Sequence, residues 1–196
     1  MRRHTANVSE SDSLMSPAAS KAAYTIYVDG SCQDNQNVTS ETPAGWGVVV
    51  VGGDTQRGSG AGSVITELSG KVITDPKIEY FLGAEVGSNN TAELSAIAHA
   101  LRWILKEGVV QQATIRCDSQ YALQISQRIW KAKANLSLVA TVHKLWDEVS
   151  TQCNLSGNWV RAHSGHKWNE RADHLAFRAM QGETPTPLDF WKPGQR

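Results

Sequence analysis

From residue 89 to residue 182 the chain switches repeatedly between two hydrophobic periods, and few layered folds accommodate that pattern. "NNTAELSAIAHALRWILKEG" carries Leu94, Ile97, Leu101, Ile104 and Leu105 as one apolar helical stripe, with Gly108 as its stop. "ATIRCDS" then reads as a strand, "QYALQISQRIW" as a short helix and "SLVATVHKLWDEVSTQ" as a longer one. "NWVRAHS" reads as a strand and "NERADHLAFRAMQG" as the last helix. Upstream, "YTIYVDGS" alternates Tyr24, Ile26 and Val28 with Thr25, Tyr27 and Asp29, while "GWGVVVV" and "EYFLGAEVG" supply two further strands. Three strands followed by alternating helix and strand predict an α/β fold: a five-stranded mixed β-sheet flanked by helices.

The flanks read differently. Residues 1–22 are rich in Ser and Ala with no hydrophobic pattern, the composition of a disordered tail. Arg2 and Arg3 suggest an organelle transit peptide, whereas Glu10 and Asp12 count against one. Residues 23–182 hold the predicted elements, and residues 183–196, "ETPTPLDFWKPGQR", form a proline-broken tail. Between them, "GGDTQRGSGAGSVITELSGKVITDPKI" at 52–78 is glycine-rich and turn-prone, an excursion from a hairpin open to packing on the sheet, contacting a partner or being inert, of which its glycine and serine favour an inert or mobile loop.

Composition narrows the class of function. Cys32, Cys117 and Cys153 are an odd set without a CxxC pair, against a disulfide framework or a zinc site. They fit a reducing, intracellular and cytoplasmic setting. No apolar run approaches bilayer length, and no feature argues for an oligomer, so a monomer without a membrane anchor is expected. The net charge of zero hides an asymmetry, because residues 1–101 sum to −5 and residues 102–178 to +5. A basic block suits an anionic partner such as nucleic acid, or a set of solvated helix faces.

Four acids stand where bulk solubility does not require them. Asp29 and Asp118 end two strands, each entering a Ser-containing turn, at the edge where open α/β sheets gather ligands. A turn residue is the structural alternative for each. Glu93 lies in line with Ile97 and Leu101 on the long helix, although an Asn90-x-x-Glu93 capping box would also explain it. Asp173 sits in the first turns of the last helix, where the helix dipole alone favours an acid. Two carboxylates about 4 Å apart repel by roughly 4 kcal/mol at an effective dielectric near 20, so four that met would need protons or cations. An all-oxygen donor set selects Mg²⁺, with Mn²⁺ as a substitute, and two such ions can promote phosphodiester hydrolysis.

Taken in order, "YVDGSC", "SNNTAEL", "CDSQYAL" and "HSGHKWNERADHLA" resemble the type 1 ribonucleases H across residues 24–181. The resemblance implies a ribonuclease H-like fold. It also implies an endonuclease that cuts the RNA strand of RNA/DNA hybrids with two metal ions, leaving 5′-phosphomonoesters. It assigns the metal-binding quartet to Asp29, Glu93, Asp118 and Asp173. His163 matches a mobile-loop histidine that moves protons, with a loop histidine bonded to backbone as the alternative. Asn35, Asn89, Asn90 and Gln120 match positions that touch the hybrid through its minor groove, where amides suit the 2′-OH. Ser88 matches a position near a DNA-strand phosphate, and Tyr121 one bordering the DNA channel. Asn169 is expected to cap the last helix or order the loop before it, and His166, Glu170 and Arg171 to be structural.

Two departures from that pattern stand out. After "CDSQYALQISQRIW" a long lysine-rich protrusion is reduced to Lys131 and Lys133, with Trp130 as a remaining aromatic surface. The excursion at 52–78 is longer than the usual hairpin. A silent hybrid-binding module, a retroelement-derived domain and a DNA-cutting relative of the same fold are the rival readings.

Overall fold

The computed structural model describes residues 22–108, 110–162 and 164–196. Residues 1–21 of the expected disordered tail, and His163, lie outside the described residues, whereas Ala22 already belongs to the first strand. A five-stranded sheet runs in the order β3-β2-β1-β4-β5, built from β1 (Ala22–Cys32), β2 (Ala44–Gly52), β3 (Ser63–Lys71), β4 (Val110–Cys117) and β5 (Asn154–Trp159). β1–β2 and β2–β3 pair antiparallel, and β1–β4 and β4–β5 pair parallel. Four helices accompany it: α1 (Asn89–Glu107), α2 (Gln120–Ser126), α3 (Leu136–Gln152) and α4 (Lys167–Gln181). The predicted α/β architecture with a mixed sheet is observed. Among the described residues, no helix is long and apolar enough to cross a membrane.

Strand alternation splits the core into two. Ile26, Val28, Val48, Val50 and Ile115 face α1, where Leu94, Ile97 and Leu101 meet them. Tyr27, Val49 and Val51 face the other way, against Trp168, Ala172 and Leu175 of α4. Cover on both faces explains why "GVVVV" is apolar throughout instead of alternating. α4 can lie against β2 because Gly47 has no side chain, since a Cβ there would stand 2.3 Å from the Ala172 carbonyl oxygen.

Two strand expectations need correction. The third strand is not "EYFLGAEVG" but β3, inside the excursion expected to be inert. Tyr80 and Gly83 have positive φ angles of 68° and 104°, which no strand accommodates, while Leu82 and Ala84 are buried. β3 was hidden because it is an edge strand, half-exposed and diluted with Ser, Gly and Lys. β5 begins upstream of "NWVRAHS" and overlaps it only at Asn158 and Trp159, and Gly157 weakens the strand signal. The Asn90–Glu93 capping box is also absent. Ser88 caps α1, its hydroxyl accepting from the Thr91 amide at 3.1 Å while Thr91 Oγ1 accepts from the Ser88 amide at 2.8 Å.

β3 and residues 183–196 are tied to α4 by one buried cation. Arg171, 1 % exposed, donates to both carboxylate oxygens of Glu67 on β3 at 2.7 Å and to the Thr186 carbonyl at 2.8 Å. Trp191 is buried beneath its guanidinium. Arg171 is therefore structural, as the sequence suggested.

Gly47→Ala would force α4 away from β2, and overpacking of this kind costs about 1–3 kcal/mol. A lowered urea midpoint with an unchanged m-value is expected in equilibrium unfolding.

Candidate functional site

β1 and β4 run parallel with Val28 opposite Cys117, so the next residues, Asp29 and Asp118, emerge side by side at the sheet's carboxyl edge. Glu93 reaches them from above because Gly30 lets α1 press onto β1. A Cβ at Gly30 would lie 2.4 Å from the Glu93 backbone nitrogen. One carboxylate oxygen from each of Asp29, Glu93 and Asp118 lies within 4.8 Å of the others. Asp29 and Glu93 are buried and Asp118 is half-buried.

Burial raises the Asp29 pKa well above the ordinary carboxylate range, with the charges of Glu93, Asp118 and Asp173 adding to it. Glu93 is raised likewise, first by burial and then by Asp118. A few donors offset this repulsion. The Gly30 amide donates to Asp29 Oδ1 at 2.7 Å, and the Cys117 thiol to Glu93 Oε2 at 3.7 Å. Burial and the neighbouring carboxylates push the Cys117 thiol up, so it stays protonated and acts as a donor.

Asp118 is held by two residues whose part the sequence reading missed. Asn169, 3 % exposed, donates its side-chain amide to Asp118 Oδ2 at 3.1 Å. It does not cap α4, which begins after His166. Its position within the loop-to-helix motif was the available signal. The Trp159 indole donates to the Asp118 carbonyl at 2.9 Å, a role no sequence pattern marked.

Asp173 stands apart from the three-carboxylate cluster. It lines the same cleft of about 270 Å³, together with Asn89, Ser119, Ala162 and Arg196. Its two oxygens accept from Nε and Nη2 of Arg196, each at 2.9 Å. Asn35 and Asn89 come together across the cleft's rim, where the Asn89 amide donates to Asn35 Oδ1 at 3.0 Å. Asn90 and Gln120 are exposed in the first turns of α1 and α2. Tyr121 is half-buried against the core, and Ser88 is buried as the α1 cap. Trp130 is exposed on the helix-free stretch between α2 and α3, where the lysine-rich protrusion is indeed short.

The donor set fits a hard divalent cation. It is all carboxylate oxygen, its charges repel at close range, and it is buried enough that a cation would be little screened. The Cys117 sulfur is a neighbour of Glu93 and not one of the three clustered ligand atoms.

Comparison with known proteins agrees with this geometry. Residues 21–181 match the family model described as RNase H. The chain is 34 % identical over 166 residues to the Ribonuclease H of Cupriavidus metallidurans, covering 80 % of this chain and 94 % of that one. It is 32 % identical over 172 residues to the Ribonuclease HI of Caulobacter vibrioides, covering 82 % and 95 %. This chain belongs to the RNase H family. Solved structures share its fold. RNase H1 from Halobacterium salinarum superposes with a TM-score of 0.58 at 24 % identity, covering 82 % of this chain and 98 % of that one. LC11-RNase H1 in complex with RNA/DNA hybrid gives 0.59 at 24 % identity, covering 81 % and 97 %. A family member with a candidate acidic metal site is thus established, and its four motif acids sit at one end of the sheet.

The raised pKa values carry a sign for stability. Folded Asp29 and Glu93 keep protons that the unfolded chain releases near pH 4. In EDTA, stability therefore falls as pH rises from that range through the raised values. Asp29→Asn is expected to melt higher than the parent chain in EDTA at neutral pH, with the order reversed by millimolar Mg²⁺, as read by thermal unfolding.

Proposed function

We propose that this chain is a metal-dependent endoribonuclease that hydrolyses the RNA strand of RNA/DNA hybrids, leaving 5′-phosphate ends. The observation that carries the reading is the three-carboxylate cluster at the ends of two parallel strands in an RNase H family chain. That LC11-RNase H1 was solved with RNA/DNA hybrid supports the substrate class.

Asp29, Glu93, Asp118 and Asp173 would hold two Mg²⁺ ions, or Mn²⁺ in their place, which when bound supply an activated water and stabilise the leaving oxygen. The chain's own groups do the rest. The Gly30 amide and the Asn169 side-chain amide orient the carboxylates of Asp29 and Asp118. The Cys117 thiol, donating to Glu93 Oε2, helps to orient that carboxylate. His163 carries the proton to the leaving 3′-oxygen, work suited to an imidazole near neutral pH. Asn35, Asn89, Asn90 and Gln120 offer amides to the hybrid's minor groove, where the 2′-OH separates RNA from DNA. Ser88 sits toward a DNA-strand phosphate, and Tyr121, with Trp130, borders the DNA strand. With Lys131 and Lys133 as the lysines of the shortened connection, and its Arg128 paired with Asp147, phosphate grip is weak and the salt dependence of binding shallow.

End-labelled RNA, presented as hybrid, RNA duplex and single strand with Mg²⁺ or EDTA, tests the reading. Internal cuts confined to the hybrid and abolished by EDTA are expected. Hybrid binding without cleavage in either Mg²⁺ or Mn²⁺ would point instead to a silent binding module. Asp118→Asn should lower cleavage to background while preserving the circular dichroism spectrum. His163→Ala should slow turnover on the order of 10²-fold; an unchanged pH–rate profile would remove it from proton transfer.

A further inference from the structure

The segment after α4 is pinned at several points along its length. His174 is fully buried, and its Nε2 accepts from the Thr186 amide at 3.0 Å. Nδ1 therefore carries the proton and donates to the Gln195 carbonyl at 3.2 Å. Trp191, also buried, donates its indole N–H to the same carbonyl at 3.2 Å. Arg171 holds the Thr186 carbonyl. The Lys192 amide donates to the Gln195 side chain at 3.0 Å. These contacts place Arg196 at the rim of the cleft that holds Asp29, Asp118 and Asp173, with its guanidinium 5.7 Å from the Phe177 ring centroid.

The pairing with Asp173 is bidentate, the stronger geometry for a guanidinium and a carboxylate. We propose that Arg196 is a resident counter-ion of the site, occupying the carboxylate that a divalent ion must use, so that metal loading displaces it. The inference rests on the reading of Asp173 as a metal ligand. Two features make displacement feasible. The Arg196 side chain is 54 % exposed while that of Asp173 is 13 % exposed, so the guanidinium can leave without repacking the core. The anchors at Thr186 and Gln195 do not involve its side chain, so the strap stays in place and keeps Arg196 at high effective concentration beside the cleft. The strap thereby sets a threshold: divalent ion below it leaves Asp173 paired with arginine, and ion above it frees the carboxylate.

The test is Mn²⁺ binding to the full chain by titration calorimetry, without nucleic acid. It compares the parent with Arg196→Gln and Arg196→Lys, with melting curves in EDTA as a check of folding. An exposed pair of this kind contributes up to about 1 kcal/mol, so Arg196→Gln should bind Mn²⁺ up to roughly fivefold more tightly. Arg196→Lys, which keeps the charge but loses the fork, should fall between the two. Equal or weaker Mn²⁺ binding by Arg196→Gln would overturn the counter-ion role while leaving the metal site intact. Failure of parent and variants alike to bind millimolar Mn²⁺ would overturn the metal reading itself, and the counter-ion role with it.

Discussion

Carboxylates crowded into a buried corner repel one another, and the surrounding fold exists in part to hold them there. The penalty is incurred at Asp29 and Glu93, the most buried of the set. It is met by backbone geometry: parallel pairing sets Asp29 beside Asp118, and a side-chain-free Gly30 brings α1 within reach. Burial and mutual repulsion still raise Asp29 and Glu93 well above the ordinary carboxylate range. Strongly perturbed acids gathered in a cleft mark a functional site more than a structural ion network. Arg171 and Glu67 illustrate the contrast: a buried guanidinium and a half-buried carboxylate, matched in a bidentate pair, that tie α4 to β3.

Much of this was legible in the sequence because periodicity and position coincide at the acids. Asp118 directly follows β4 and Asp29 stands where β4's pairing with β1 ends, although β1 itself runs on to Cys32 beside β2, and Glu93 lies on the buried stripe of a long amphipathic helix. What escaped detection shares a physical cause. β3 is an edge strand and carries little of the apolar alternation that buried strands must show. β5 has a central glycine, and its pairing with β4 supplies what its own residues lack. Asn169, Trp159 and Arg196 act through contacts made between residues far apart in sequence, and no local pattern encodes those.

The two segments that read as filler, the excursion and the proline-broken stretch after α4, both converge on α4. The excursion supplies Glu67 to Arg171, and the later segment supplies Thr186 and Gln195 to Arg171 and His174. α4 in turn carries Asp173 and Asn169, so its seating against β1 and β2 bears directly on the cleft. Glycine-rich or proline-rich composition spoke to how these segments turn and was silent about what they hold.

The order β3-β2-β1-β4-β5 also has a kinetic consequence. The hairpins on the β1–β3 side join neighbours in sequence and can form early, whereas β1 reaches β4 only after the whole of α1 has crossed over. Asp29 and Asp118 become neighbours only through that long crossover, and Asn169 and Asp173 are supplied from α4, still further along the chain. A chain ending before α4 would therefore lack Asp173, which lines the cleft, and Asn169, which braces Asp118, however completely the sheet had formed.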